Sequence, residues 1–188
     1  MALKATFVRT AGERDRIYVT RSDGTEVSWS YPTYGDRLPH DLVHWVVETR
    51  FGLRFGFWGR VDAGADPAAI NAQANRAVGR QKFAGFGQEQ GELYLAEALA
   101  NAGWSTEGTT NDQLREAVAA QCRQLGISAP DLAPERIATI QSTLASLARL
   151  WRAPGQKGSL AVTFDADGPE ESVHSIGGDG ADAPDARE

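Results

Sequence analysis

With 188 residues, 41% of them hydrophobic, the chain has the length and apolar content for one domain with a sizeable core. Its formal charge of −6 is unevenly placed: residues 166–188 hold seven acidic side chains and one basic, so residues 1–165 carry 18 of each sign. A neutral body lacks the basic footprint of a nucleic-acid binder, and a single cysteine, Cys122, excludes an internal disulfide.

The segment Met1 to Phe7 lacks the apolar run of a signal peptide, and no stretch approaches the ~20 apolar residues of a membrane span. A cytoplasmic protein without membrane association is expected. In chain order, Leu3, Ala5 and Phe7 alternate with Lys4 and Thr6 as in a half-buried strand. Residues 16–21, the turn signal Ser22-Asp23-Gly24 and residues 25–31 predict a β-hairpin, so residues 1–31 read as an antiparallel meander. Val27, Trp29 and Tyr31 share one face of the third strand, which is expected to pack on the following helix.

That helix is predicted from Pro39 to about Phe51, with Pro39 suited to the first helical position, Arg50 near the carbonyl end and Gly52 to the left-handed position beyond it. At about 100° per residue, Leu42, Val43, Val46 and Val47 fall on one side, and His40, Asp41, His44 and Glu48 on the other. His40 and His44 have the i, i+4 spacing by which zinc proteins offer two imidazoles to one ion. In the HExxH pattern a Glu general base follows the first His; here that position holds Asp41, one methylene shorter. At ~1.5 Å rise per residue Glu48 lies roughly 12 Å along the axis from His40, too far for easy shared coordination, so a third ligand must come from elsewhere. A reading without metal also accounts for these residues: Asp41 complements the helix dipole, and the histidines with Glu48 form a polar face turned to water. His40-Asp41 resembles the doublet of HD-type phosphohydrolases, but that pattern also calls for an upstream His, and none precedes position 40.

From Phe51 to Gly59, glycines interrupt aromatics too often for a regular helix or long strand, which predicts an irregular connection. Close backbone approach at Gly56 and Gly59 would make a wall beside the histidine face. Asp62 and Asp66 follow as candidates for the third ligand, as do Glu89 and Glu92 later. The combination Leu38-Pro39-His40-Asp41-Leu42-Val43-His44, Gly56-Phe57-Trp58-Gly59 and Ala63-Gly64-Ala65 resembles a group of small bacterial proteins. The resemblance covers about thirty residues, with a similar N-terminal hairpin and a Trp-containing C-terminal helix leading to a strand, and it brings no activity and no catalytic residue with it.

Beyond Pro67 the chain turns helical. An Ala-rich helix is predicted to about Arg80, a loop over 82–87, and a helix from Glu89 to Ala102 with Leu95, Ala98, Leu99 and Ala102 on one stripe. A capped helix from Thr110 or Asn111 to Leu125 carries Cys122 among Leu114, Val118 and Leu125, a core setting. Between Pro134 and Trp151, Ile137, Ile140, Leu144, Leu147 and Trp151 recur at three and four residues, a strong core helix too short for a coiled coil. Residues 159–164 read as a strand, and the acidic stretch 166–188, with His174, as a disordered tail. No phosphate-binding glycine loop or Gly-x-Ser-x-Gly elbow is present.

Strands, then helices, then a final strand predict an α+β fold, a small antiparallel sheet packed against several helices in one domain over 1–165. Three functional readings follow. The first is a non-catalytic binding or interaction domain, with Phe55, Phe57 and Trp58 and the acidic tail supplying contacts to a protein or small-molecule partner. The second is a divalent-metal protein such as a zinc-dependent hydrolase, with His40 and His44 as ligands and Asp41 as base. The third is an oligomeric module using the 134–151 helix.

Overall fold

The computed structural model describes residues 2–10, 12–70, 90–106, 108–152, 158–164 and 173–176. Strands β1 (Leu3–Arg9), β2 (Arg14–Thr20) and β3 (Glu26–Pro32) precede helices α1 (His40–Phe51) and α2 (Phe57–Asp62). Three longer helices follow, α3 (Gln90–Ala100), α4 (Asn111–Leu125) and α5 (Pro134–Arg152), and the chain returns as β4 (Gly158–Phe164) and β5 (Val173–Ile176). Residues 67–70 are helical as well. The rest of the expected Ala-rich helix, the 82–87 loop and Glu89 lie outside the described residues.

All strand pairs are antiparallel, in the order β3-β2-β1-β4-β5. The register sets Trp29 opposite Ile17, Ile17 opposite Phe7 and Phe7 opposite Leu160, so one row of buried side chains crosses four strands. Because side chains alternate along a strand, Arg14, Arg16 and Tyr18 occupy the other face and are exposed. Among the described residues the helices pack on the apolar face, which makes the α+β arrangement the sequence predicted. Of the stretch 166–188, expected as a disordered tail, residues 173–176 are described and pair with β4.

The helix termini follow their local signals. α1 begins after Pro39 and ends at Gly52, whose φ of 61° is left-handed. α4 opens with a capping box in which Thr110 and Gln113 exchange side-chain and backbone hydrogen bonds. The stripe Ile137, Ile140, Leu144, Leu147 and Trp151 on α5 is buried in the chain's own core. No helix among the described residues is long and apolar enough to cross a membrane.

Besides β5, α2 departs from expectation. The segment expected to be irregular contains α2, a six-residue helix with Gly59 inside it. Its stabilisation comes from outside the segment, from a carboxylate on α1 that receives its first N–H groups, and composition alone does not reveal that donor–acceptor match.

α1 occupies the centre of the helical layer, packing against α2, α3 and α5. Leu42, Trp45, Val46 and Val47 are at most 1% exposed, and His44 and Glu48 are buried as well. The polar side of α1 is therefore enclosed instead of facing water.

Candidate metal centre

α1 presents His40 and His44 one turn apart, and its packing on α3 sets Glu97 opposite them. One ligand atom from each of these three residues lies within 4.8 Å of the other two. His44 is central: Nδ1 is 3.0 Å from Glu48 Oε1, and Nε2 is 3.4 Å from Glu97 Oε2. The His40 ring stands edge-on to the His44 ring, with centroids 4.7 Å apart. Asn101 Nδ2 donates to the other Glu97 oxygen at 3.0 Å, which leaves Oε2 turned toward His44.

Glu48 orients this arrangement. Its Oε1 accepts from His44 Nδ1 and from the Phe57 N–H (3.0 Å), and its Oε2 accepts from the Trp58 N–H (2.9 Å). A carboxyl that receives three N–H donors acts as acceptor throughout, as the ionised form does. It also supplies negative charge at the N-terminus of α2. Gly56 makes the approach possible, since a Cβ there would collide with the Glu48 carboxylate, and a Cβ at Gly59 would collide with the Arg54 carbonyl. The Gly-Phe-Trp-Gly stretch thus forms a wall beside the histidine face.

With Nδ1–H committed to Glu48, His44 Nε2 faces Glu97 and carries the proton that a bound ion would displace. This is the carboxylate–histidine arrangement by which metal-binding imidazoles are held in one tautomer. Tetrahedral zinc with bonds of about 2.0–2.1 Å separates adjacent donors by about 3.3 Å, close to the 3.4 Å between Nε2 and Oε2. The widest pair, within 4.8 Å, would close by up to about 1.5 Å, a movement available to the half-buried His40 ring. Two imidazoles and one carboxylate leave a fourth position open.

No family model, curated protein or solved structure matches this chain.

Burial by itself pulls the His44 imidazole down, but hydrogen bonds to Glu48 and Glu97 and the charge of both carboxylates outweigh it, pushing the pKa up to about 9. In the metal-free protein this group contributes stability that is fully present below about 6.5 and is lost as pH rises through about 9. Thermal melts between pH 6 and 9.5 are expected to show Tm falling across that window, by about 2–4 °C for each kcal/mol lost. A zinc ion bound here would replace the proton on Nε2, so its affinity would move the other way and rise with pH. A Tm that stays flat for the metal-free protein would remove the charged imidazole from this account.

The remaining residues singled out from sequence have separate places. Asp41 Oδ2 accepts from Trp29 Nε1 (3.2 Å), and its backbone carbonyl accepts from Trp58 Nε1 (2.8 Å), so two indoles hold the start of α1. Burial raises the Asp41 carboxyl above its usual range, the His44 charge opposes this, and Glu97 adds to it. Phe57 and Trp58 belong to the core at 4% and 0% exposure, so of the three aromatics expected at a contact surface only Phe55 is exposed. Glu92 accepts from the Phe55 N–H, Asp62 from the Ser22 N–H and Asp66 from the Ala68 N–H, each away from the histidines. The His174 side chain lies outside the described residues.

Glu97 was missed in the sequence. Its signal is a lone charge inside the run Leu93 to Ala100, four residues after buried Leu93 and three before buried Ala100. A carboxylate at a core position of an amphipathic helix needs a partner.

Proposed function

We propose that the protein holds a divalent ion, with zinc fitting the donors best, between His40, His44 and Glu97, and uses it to hydrolyse a small molecule. The observation that carries this reading is the convergence of three donor atoms within 4.8 Å beside an imidazole whose other nitrogen is held by a buried carboxylate. Bound at an open site, such an ion supplies Lewis acidity and a water acidified to near neutrality. Glu48 keeps His44 in the metal-competent tautomer, Asn101 aims Glu97, and Asp41, whose raised carboxyl responds to the charges of His44 and Glu97, is the candidate base.

The test is titration of metal-stripped full-length protein at neutral pH, for wild type, His40→Ala and Glu97→Gln. Wild type is expected to bind zinc at micromolar Kd or tighter, and each variant to lose more than the 10–100-fold that a ligand's hydrogen-bond partner is worth. Ferrous iron takes the same donor set, so a parallel titration with it decides the ion. Equal zinc affinity in all three proteins would sink the proposal.

A second reading rests on the same contacts. A protonated His44 between Glu48 and Glu97 joins α1, α2 and α3 without any ion. The site is then structural, and the protein serves as a non-catalytic binding domain. Absence of zinc binding together with the falling Tm above pH 6.5 would favour it.

A further inference from the structure

A cavity of about 590 Å³ adjoins the histidine–carboxylate cluster, and His40 lines it. Its size falls within the roughly 300–1,000 Å³ of small-molecule sites. Glu97 stands one turn before Ala100, which also lines the cavity from α3, so the floor of the space and the donor cluster share two helices.

The lining has a direction. Leu144, Ala148 and Arg152 recur every four residues on α5, giving an apolar strip that ends in a guanidinium. Arg37 stands on the loop before α1, and Val43 continues the apolar wall from α1. Asp36 also borders the space, but its carboxylate is paired with Arg9 at 3.1 Å. Arg152 Nε donates to the Ala148 carbonyl at 2.9 Å, which folds its stem along the helix. Among the described residues neither Arg37 nor Arg152 makes an ion pair. A half-open apolar strip with two guanidinium groups and a compensated carboxylate favours a ligand with an apolar body and one anionic end.

We propose that the cavity bounded by α1, α3 and α5 binds a small organic anion, its apolar body along Val43, Leu144 and Ala148 and its anionic end at Arg37 and Arg152. That this ligand is the substrate rests on the metal-centre reading; that an organic anion binds here does not.

Calorimetric titration with 4-phenylbutyrate and with its neutral counterpart 4-phenylbutanamide tests the assignment on the full chain, with and without zinc. The carboxylate is expected to bind at least about fivefold more tightly than the amide. Arg37→Gln/Arg152→Gln should abolish most of that preference while leaving zinc affinity as in wild type. Persistence of the preference in Glu97→Gln would place the anion at the guanidinium groups even if zinc never bound, so the two readings fail separately. Three results would overturn the proposal: no binding of either probe, equal binding of both, or a preference that survives the double arginine variant, which, if lost when zinc is withheld, would put the carboxylate on the ion.

Discussion

Glu48→Gln is expected to cost the protein about 3 kcal/mol of stability and, on the proposed metal reading, to weaken zinc binding 10–100-fold. The side chain is fully buried and serves the Phe57 and Trp58 N–H groups and His44 Nδ1 at once. Glutamine is nearly isosteric but replaces one acceptor oxygen with an NH2 donor. If the amide nitrogen faces Trp58, two donors meet with no acceptor between them; if it faces His44 and Phe57, the Phe57 N–H is orphaned and His44 must move its proton to Nε2. Each orphaned buried donor costs about 1–3 kcal/mol, and losing the charge adds to this because charge-assisted hydrogen bonds are the stronger ones. His44 also loses the carboxylate that fixes its tautomer. Urea denaturation and zinc titration on one preparation read both effects. A variant within about 0.5 kcal/mol of wild type would show that the carboxylate does not hold α1 and α2 together.

Gly59→Ala is expected to be at least as damaging, at more than about 3 kcal/mol, through backbone instead of charge. The added methyl would meet the Arg54 carbonyl, which belongs to the main chain of the turn before α2 and has no rotamer by which to retreat. α2 would have to shift, and Phe57 and Trp58 with it. Their N–H groups hold Glu48, and the Trp58 indole, 4.8 Å from the Trp45 ring, holds the Asp41 carbonyl. Gly91 near the start of α3 provides the control, since a Cβ there meets nothing within 4 Å and alanine removes backbone freedom from the unfolded chain. Differential scanning of the two variants should find Gly91→Ala at or slightly above wild type and Gly59→Ala well below it or unfolded. A Gly59→Ala protein melting within about 2 °C of wild type would mean that the contact is easily relieved.

These two predictions separate what could be read along the chain from what could not. The limits of α1 follow from Pro39 and Gly52, those of α4 from Thr110, Gln113 and Gly126, and the buried stripe of α5 from its three-and-four spacing. The inward face of the sheet follows from alternation at Leu3, Ala5 and Phe7. Each is a relation between residues a few positions apart, where sequence distance and spatial distance coincide. The same reasoning placed His40 and His44 on one helix face and kept Glu48 out of their coordination.

The site itself required the third dimension. The α1 pattern is the same whether its polar side meets water or α2 and α3, so the burial of His44 and Glu48 was not legible in it. Glu97 reaches His44 only because α3 packs on α1, and α2 forms where composition argued against a helix because Glu48 lies at its N-terminus. Phe57 and Trp58, expected at a contact surface, are made core by enclosure among Phe7, Trp29 and Trp45. Local periodicity specifies which side chains share a face; which faces meet depends on contacts between segments far apart in the chain, and the convergence of donors at His44 is such a contact.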